Sequence, residues 1–462
     1  MKHLPGHDDT IAAIATPFGI GGLGVIRISG PRALEIARKI FRPKLPPDDL
    51  PARRVRYGHV IDPDTGEVID EVLVLYMRAP HSYTREDVVE ISGHGGQVVL
   101  RRILEVVLRK GAREALPGEF TKRAFLNGRI DLAQAEAVLD LISAQSEQAL
   151  RLAQRQLEGG LSERVRRLKE GLLSVLAPIE AWLDIPEEEI PPPGREEVLR
   201  GIGAVVEEIE GLLEHYRQEV IYREGVRTAL LGKVNVGKSS LFNRLLGRER
   251  AIVTPIPGTT TDLIEETLVL DGIPFCLVDM AGVGHPRDMV EEEGVRRAKK
   301  EAEGAELLLF VIDGSSPLDD EDLALLEEVK GRSAIVVINK ADLPLSISPE
   351  QIPPVGEVVL TSALKGEGIR ELKEKMVDVV RKRHGLGAPS ELVPVNSRHK
   401  KVLERAKGDL LKIKEELTKG EPQWDLVALD IRRVMDELGE VTGETTPEEV
   451  LEEIFSRFCV GK

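Results

Sequence analysis

The sequence has little cysteine and few aromatic residues: Cys276 and Cys459 are its two cysteines, and 3% of the 462 residues are aromatic. Two cysteines cannot form the disulfide framework of a small secreted fold. No run reaches the roughly 18 apolar residues that a membrane span needs. The first ten residues, MKHLPGHDDT, place charge and proline where a signal peptide has an apolar stretch. We therefore expect a cytoplasmic protein without membrane segments.

The length and the charge indicate several domains and limit the mode of nucleic-acid binding. A chain of 462 residues is long enough for about three domains of ~150 residues each. Its net charge of -16 argues against a protein that coats nucleic acid by bulk electrostatics. Any RNA contact would have to use a local basic patch.

Patterns along the chain predict four segments. Short apolar runs and glycine clusters favour an α+β domain over residues 1–126. Apolar residues three and four apart predict one helical domain in two parts, 127–222 and 386–462. Strand-like runs alternate with helical stretches over 223–385, which is typical of a mostly parallel sheet covered by helices on both faces. One expected long helix has an apolar face formed by Leu157, Leu161, Val165, Leu168, Leu172, Val175 and Ile179.

A glycine-rich loop, Gly232–Ser239, has the pattern G-x-x-x-x-G-K-S between a predicted strand and a predicted helix at 241–246. Phosphate binding needs converging backbone N–H groups, a helix N-terminus and a lysine that reaches the β- and γ-phosphates, here Lys238. We expect Ser239 to ligate Mg²⁺. The residues expected at the phosphates are Asn235, Val236, Gly237, Lys238, Ser239 and Ser240.

Three further motifs, each at the end of a predicted strand, indicate GTP. Asp279–Gly282 can hold the metal through water and sense the γ-phosphate. The carboxylate in Asn339–Asp342 can accept hydrogen bonds from N1–H and the exocyclic amine of guanine, which adenine lacks. Thr361–Leu364 supplies backbone beside that base. The residues expected to contact the nucleotide are Asp279, Gly282, Asn339, Lys340, Asp342, Ser362 and Ala363.

The segment between the phosphate loop and Asp279 contains the switch. The polar run Thr254–Asp262 is expected to supply a hydroxyl to Mg²⁺ from Thr260. A Ras-like GTPase orients water with a glutamine after the D-x-x-G glycine, but this chain has Val283. Another residue must therefore orient the water. The acidic candidates could equally be solvated carboxylates at a helix start, and they are Asp288, Glu291, Glu292 and Glu293.

These features together resemble the bacterial tRNA-modification GTPase family MnmE, also called TrmE. The resemblance includes the Asn235 phosphate loop, the Gly258–Asp262 switch and the Val283 position. It extends from Asp9–Pro17 to the C-terminal Phe458–Lys462. It implies an N-terminal folate-binding and dimerising domain, and a helical domain into which a Ras-like P-loop α/β GTPase domain is inserted. It also implies that a homodimer works with the flavoprotein MnmG to add an aminomethyl-type group to C5 of the wobble uridine of certain tRNAs.

The resemblance also implies roles for individual residues. Potassium, taking the place of an arginine finger, would bind at Asn235, Thr254, Ile256 and Thr259, and Mg²⁺ at Ser239 and Thr260. The water-orienting carboxylate falls on Glu291. The site for 5-formyltetrahydrofolate or another tetrahydrofolate derivative falls on Arg27, Glu90, Arg129 and Lys462, and Cys459 is read as functional.

Ordinary structural roles compete with some of these assignments. Arg27 and Glu90 could form a surface or interface ion pair, and Cys459 could be a buried small hydrophobe. Asn235 could simply cap the loop.

Several positions depart from the family pattern. Val234 and Met280 are packing-level changes, whereas Thr261 and Gly284 stand where relatives carry arginine, which bears on how the switches couple. Arg129 replaces the commoner lysine, which keeps the charge and changes its geometry.

Two other functions fit parts of the sequence. An RNA-associated GTPase switch would use hydrolysis only to time association, but it would need no folate site and no C-terminal Cys-x-Gly-Lys. Alternatively, the N-terminal domain is a folate enzyme that the GTPase domain regulates.

Overall fold

The computed structural model describes residues 9–17, 19, 21–46, 49–184, 193–247, 265–279, 304–386 and 392–462. The strands are β1 (Ile11–Ile14), β2 (Gly24–Ser29), β3 (Phe41–Pro43), β4 (Val55–Ile61), β5 (Val68–Met77), β6 (Val88–Gly93), β7 (Arg113–Glu114), β8 (Val226–Leu231), β9 (Glu265–Leu270), β10 (Ile273–Asp279), β11 (Leu307–Asp313), β12 (Ala334–Asn339) and β13 (Glu357–Leu360). The helices are α1 (Ala33–Ile40), α2 (Gln97–Arg109), α3 (Glu119–Leu126), α4 (Leu132–Ser143), α5 (Glu147–Leu157), α6 (Gly160–Asp184), α7 (Arg195–Glu224), α8 (Lys238–Leu246), α9 (Asp320–Val329), α10 (Ile369–His384), α11 (Ser397–Lys419), α12 (Trp424–Thr442) and α13 (Glu448–Ser456).

The chain forms two compact units. The first comprises Met1–Leu139, Ser162–Gly194 and Glu415–Lys462, and the second comprises Asp140–Leu161 and Arg195–Lys414. Each unit therefore contains helices from both parts of the predicted helical region. Among the helices that the structure describes, none is both long enough and apolar enough to cross a membrane.

The first unit contains a sheet in the order β3-β4-β5-β6-β2-β1-β7. Its strands are antiparallel apart from the parallel pair β1 and β7. Alternate residues of β2, β5 and β6 are buried against α1 and α2, with Ile28 and Val74 on the sheet side and Ile36 and Ile103 on the helix side. This confirms the predicted α+β architecture of the N-terminal segment.

The second unit contains a sheet in the order β13-β12-β11-β8-β10-β9. Neighbouring strands are parallel except for the antiparallel pair β9 and β10. Successive residues of β11 are buried on opposite faces: Leu309 packs in a core with Leu241 of α8, and Phe310 packs in a core with Leu326 of α9. The predicted mostly parallel sheet with helices on both faces is confirmed.

The helix boundaries differ from the predicted pattern in two places. Leu157 ends α5, and the expected continuous helix begins only at Gly160, because Gly159 has a φ of 93° that interrupts the helical backbone. The helix expected from about Glu196 to Arg217 runs from Arg195 to Glu224 and leads almost directly into β8. The prediction that Leu157 belongs to the long helix is therefore wrong.

Candidate functional site

The predicted nucleotide motifs meet at one edge of the second unit's sheet. The parallel strands β8, β10, β11, β12 and β13 all point in the same direction. The phosphate loop follows β8, Asp279 ends β10, Asn339 ends β12, and Thr361 follows β13. The carboxyl edge of a parallel sheet is the usual position of a nucleotide site in this class of fold.

The backbone of the phosphate loop has the curled form that phosphate binding needs. Gly232 and Gly237 have φ values of 142° and 100°, and Asn235 also lies in the left-handed region at 65°. A side chain at Gly232 would collide with the carbonyl oxygen of Val311, and one at Gly237 would collide with the amide of Asn339. Helix α8 begins directly after Gly237, so its N-terminal N–H groups face the loop.

Lys238 lies inside this loop. Its Nζ donates hydrogen bonds to the carbonyl oxygens of Gly232, at 3.0 Å, and Lys233, at 2.7 Å, and the residue is 7% exposed. The neighbouring Ser239 and Ser240 are exposed. These two contacts hold the amine at the loop, close to the N-terminus of α8.

A second lysine, Lys233, connects the phosphate loop to the start of α9. Lys233 Nζ lies 2.6 Å from Asp319 and 2.9 Å from Asp322, the two residues of the capping box at the start of α9. Burial alone would lower the pKa of Lys233, but its hydrogen bonds to the two aspartates raise it. The hydrogen bond from Lys233 is the main reason why the pKa of Asp319 falls to about 2. Sequence patterns did not indicate these partners.

Asn339 connects the base motif to the phosphate loop. Its Nδ2 donates to the carbonyl of Val236 at 2.9 Å, while its Oδ1 accepts from the backbone N–H of Ala363 at 3.0 Å and the hydroxyl of Thr361 at 3.3 Å. The residue is 2% exposed, so these bonds satisfy a buried amide. Its role in the folded chain is therefore to hold two loops together.

Asp342 presents a carboxylate at the same edge. Its Oδ1 accepts a hydrogen bond of 2.6 Å from the hydroxyl of Ser362, which is the main cause of its lowered pKa. Lys340 pairs with Asp313 at 2.6 Å rather than with Asp342. The structure thus brings the predicted residues of the two base motifs together and keeps Asp342 ionised.

Of the residues predicted in the switch region, the structure describes Asp279, which is the last residue of β10. The other predicted residues of this region lie outside the described residues. The residues outside are Thr254, Ile256, Thr259, Thr260, Gly282 and Glu291, together with Asp288, Glu292 and Glu293.

The four residues of the expected folate site gather in the first unit. Arg27 on β2 pairs with Glu90 on the neighbouring strand β6, with 2.8 Å between Nε and Oε1. Nη1 of Arg27 donates to the carbonyl of Gly461 at 3.1 Å, which brings the C-terminal tail to the sheet. The pair is partly buried, with 16% of the arginine side chain and 26% of the glutamate side chain exposed.

Aromatic rings surround these charges. The guanidinium of Arg27 lies 5.8 Å from the centre of the Tyr83 ring and 5.6 Å from that of Phe120, and the guanidinium of Arg129 lies 4.7 Å from the centre of the Tyr83 ring. Burial, followed by the positive charge of Arg27, lowers the pKa of Lys462. A planar, partly anionic ligand would find both stacking surfaces and cations here.

Cys459 lies at the surface of the structure. Cys459 is exposed, so the alternative of a buried hydrophobe is wrong. Its carbonyl accepts from the N–H of Gly118 at 3.5 Å and of Lys462 at 3.3 Å. The backbone of the tail is thereby attached to the start of α3.

Behind this site lies a charge network that sequence patterns did not indicate. Arg123 is 2% exposed and contacts Asp9 at 2.6 Å, Glu119 at 3.0 Å and Glu86 at 3.2 Å. Burial would lower the pKa of Arg123, but the surrounding carboxylates raise it. Glu119 lies four residues before Arg123 on α3, but Asp9 and Glu86 are distant in the sequence, so no local motif could have revealed the whole network.

Comparisons with known proteins cover nearly the whole chain. A family model described as "MnmE helical domain" matches residues 132–459, and one described as "GTP-binding protein TrmE N-terminus" matches residues 10–129. The tRNA modification GTPase MnmE of Geotalea uraniireducens is 46% identical over 454 residues, which are 98% of this chain and 99% of that protein. The protein of the same name from Alkaliphilus metalliredigens is also 46% identical, over 460 residues, again 98% and 99% of the two chains. Among solved structures, the G domain of the T. maritima FeoB iron transporter covers 34% of this chain and 98% of that one, with 31% identity and a TM-score of 0.28.

Proposed function

This chain belongs to the MnmE family of tRNA modification GTPases, and from that premise we propose that it is a potassium-activated GTPase of the cytoplasm. Working with a flavoprotein partner of the MnmG type, it drives addition of an aminomethyl-type group to C5 of the wobble uridine of certain tRNAs. GTP hydrolysis in tRNA modification is the activity of the family. The remaining details are proposals, each supported by particular residues.

The observation that carries the proposal is the meeting of phosphate and base motifs at one sheet edge. Lys238 lies against the loop carbonyls, from which its amine can turn to the β- and γ-phosphates. The N–H groups at the start of α8 face the same space. Asp342, ionised, supplies the two acceptor oxygens that N1–H and the exocyclic amine of guanine require.

We assign Mg²⁺ to the hydroxyls of Ser239 and Thr260, and potassium to Asn235, Thr254, Ile256 and Thr259. The described members fit: Ser239 and Asn235 are exposed at the phosphate loop, and Asn235 has a φ of 65°. Oxygen donors of this kind suit both hard cations. When bound, the cations neutralise charge that develops on the transferring phosphoryl group. Glu291 is proposed to orient the attacking water, because Val283 cannot accept or donate a hydrogen bond through its side chain.

We assign a tetrahydrofolate derivative, such as 5-formyltetrahydrofolate, to Arg27, Glu90, Arg129 and Lys462. The residues fit this group, because a carboxylate can pair with the amidine-like edge of a pterin and the cations can pair with a glutamate tail. The aromatic rings of Tyr83 and Phe120 lie within 6 Å of these guanidinium groups and are apolar surfaces beside the charges. The bound folate supplies the one-carbon unit. This chain's residues bind and orient it, and Cys459 lies exposed on the same tail.

We also propose that the protein acts as a homodimer through its N-terminal domain. The sheet of the first unit supports this, because the face opposite α1 and α2 carries large apolar side chains with substantial exposure. Val55, Tyr57 and Leu73 are 59%, 43% and 47% exposed, and they lie on neighbouring strands. Exposed apolar patches of this kind often mark protein interfaces.

The test is mass spectrometry of wobble nucleosides in tRNA from a bacterial strain that lacks its own member of this family. Expression of this chain should restore the modified nucleoside, and E90Q should not, because an amide cannot provide two anionic acceptors. The control is E67Q, which removes a carboxylate from an exposed pair between Glu67, just before β5, and Arg102 on α2. Unchanged nucleosides with the wild-type chain would contradict the modification role and favour a GTPase switch that only times association.

A further inference from the structure

Arg244, which no nucleotide motif includes, fastens the phosphate-binding helix to the loop beside the base. It lies on α8, six residues after Lys238. Its Nε donates to the carbonyl oxygen of Ala363 at 2.8 Å, and its Nη2 donates to the carbonyl oxygen of Leu364. The two bonds join residues that are 119 and 120 positions apart in the sequence.

The segment Thr361–Leu364, here called the base loop, is held from its other side as well. The N–H of Ala363 donates to Oδ1 of Asn339. The hydroxyl of Ser362 donates to Asp342 and accepts from the N–H of Lys365 at 3.0 Å. Asn339 therefore holds the base loop at the N–H of Ala363, and Asp342 holds it at the hydroxyl of Ser362. Arg244 holds it at the carbonyl oxygens of Ala363 and Leu364.

We propose that Arg244 is a positioning residue that sets the base loop for recognition of the guanine O6. This inference rests on the proposed guanine site. Adenine carries an amino group where guanine has O6, so a backbone N–H held at that point favours guanine and opposes adenine. Arg244 does not touch the base in this assignment. It acts by holding the loop that does.

Arginine suits this role because its planar guanidinium directs two N–H groups to neighbouring acceptors at once. Without it, the loop would have to be ordered by each nucleotide that binds, and that ordering would weaken the affinity. The chemistry at the phosphates would be little affected once the site is saturated. Because α8 also begins the phosphate site, Arg244 links base recognition to the helix that receives the phosphates.

The experiment measures binding of GDP, IDP and 6-thioguanosine diphosphate to the full chain, together with GTP turnover. The variants are R244A and R244K. The control is R370A, which removes an arginine that is 93% exposed and pairs with Glu374 within α10. IDP lacks the exocyclic amine that Asp342 reads, and the sulfur of the thio analogue is a weaker acceptor than O6.

We expect R244A to bind GDP about tenfold more weakly, because the nucleotide must then order the base loop, with kcat changed by less than about twofold. Its preference for GDP over the thio analogue should fall, and its preference for GDP over IDP should remain. R244K should lie between R244A and the wild type, because lysine has no fork of donors. R370A should behave as the wild type.

If Arg244 only stabilises the fold, the experiment gives a different result. If R244A lowers the melting temperature but keeps the wild-type affinity and the wild-type thio discrimination, the proposal is wrong. If R244A does not fold, wild-type discrimination in R244K overturns it equally. A wild-type chain with no preference for GDP over IDP would instead show that the Asp342 guanine site itself is wrong.

Discussion

At the scale of single residues, Asp342 allows the sharpest test of base recognition. Its hydroxyl partner Ser362 favours the ionised carboxylate, which repels an acceptor and attracts two donors. We predict that D342N exchanges the preference for GTP for a preference for XTP, because an amide can donate to the O2 of xanthine. Competition of GTP and XTP for hydrolysis measures the exchange, and a D342N variant that still prefers GTP would contradict the assignment.

Arg123 allows a test of how much its charge network stabilises the domain that contains the proposed folate site. We predict that R123M lowers the free energy of unfolding by about 3–5 kcal/mol, because it leaves the largely buried carboxylate of Glu86 without its cation. Arg113 still pairs with Glu119 and Asp9, whereas Glu86 loses the arginine that faces it. Calorimetry should show the loss in the unfolding transition that added GDP does not shift.

The control for this prediction is R102M, which breaks an exposed pair with Glu67 on the same domain. Exposed pairs contribute about 0–1 kcal/mol, so its transition should move little. Equal shifts in R123M and R102M would mean that the buried network does not stabilise the unit.

Local sequence motifs indicate the candidate nucleotide-binding residues, but not the residues that support them. Asp342 and Lys238 are candidates because their chemistry requires fixed neighbours in the sequence. Arg244 and Lys233 could not, because a charged residue on a helix or loop is by default expected at the surface. The acceptors of Arg244 are backbone carbonyls more than a hundred residues away, and they have no sequence signature.

At the scale of elements, apolar runs predicted the buried strands well, and periodicity alone placed one helix boundary wrongly. Strand β11 is buried on both faces and therefore reads as a continuous apolar run. Strand β9 is the antiparallel strand at one edge of the sheet, and its residue pattern did not lead us to predict a strand there. Leu157 and Leu161 are four positions apart, so the helical period continues across a break that only the backbone at Gly159 reveals.

The end of α7 contains a buried carboxylate that the helical pattern does not explain. Glu219 is 2% exposed, accepts a 2.7 Å hydrogen bond from the N–H of Val395, and lies 3.5 Å from Arg223. Burial raises its pKa to about 7, against the opposing effects of Arg223 and this hydrogen bond, while Asp140 and Glu224 raise it further. This residue joins the helix before the sheet domain to the segment after it.

We predict from this pKa that Glu219 makes the protein less stable as the pH rises from about 4.5 to about 7. The native state holds its proton over that interval and the unfolded state does not, so the stabilisation is complete below the interval and lost above it. E219Q, which keeps an acceptor for Val395, should therefore gain roughly 1–3 kcal/mol relative to the wild type between pH 5 and pH 8.

Melting temperatures of both chains across this pH range measure the difference. The control is E214Q, which changes an exposed glutamate on the same helix. A constant difference between E219Q and the wild type at all pH values would show that Glu219 does not titrate in this interval.

At the scale of the whole molecule, the order of segments was predictable, but the partition of the helices was not. The α/β segment has its own complete sheet, so its insertion between helical segments could be inferred from alternating patterns. Helix α12 and nearly all of α6 belong to the first unit, and α5 and α7 belong to the second. An apolar helix face shows that it needs a partner, but not which partner, so this grouping requires coordinates.

Potassium is expected to act at this largest scale, by pairing the GTPase domains of two protomers. Neither Val283 nor Thr261 supplies a cation to the transition-state charge, and a cationic partner can accelerate phosphoryl transfer by orders of magnitude. Asn235 is exposed at the phosphate loop and adopts a left-handed backbone, and we expect its amide oxygen to bind the ion. A cage built for a large, weakly hydrated ion should fit sodium poorly. A loop closed over the ion would also create a new surface for a second copy.

We therefore predict that GTP hydrolysis is at least about tenfold faster in KCl than in NaCl at equal ionic strength, since equal screening leaves only the identity of the ion. Fluorescence transfer between dyes on the GTPase domains of two protomers should rise in the GTP-like state with potassium alone. N235A should lose both effects. N243A, which changes an exposed asparagine on α8, should keep both effects. Equal rates in the two salts would show that this GTPase does not use a potassium site, and a potassium effect that survives in N235A would show that Asn235 only caps the loop.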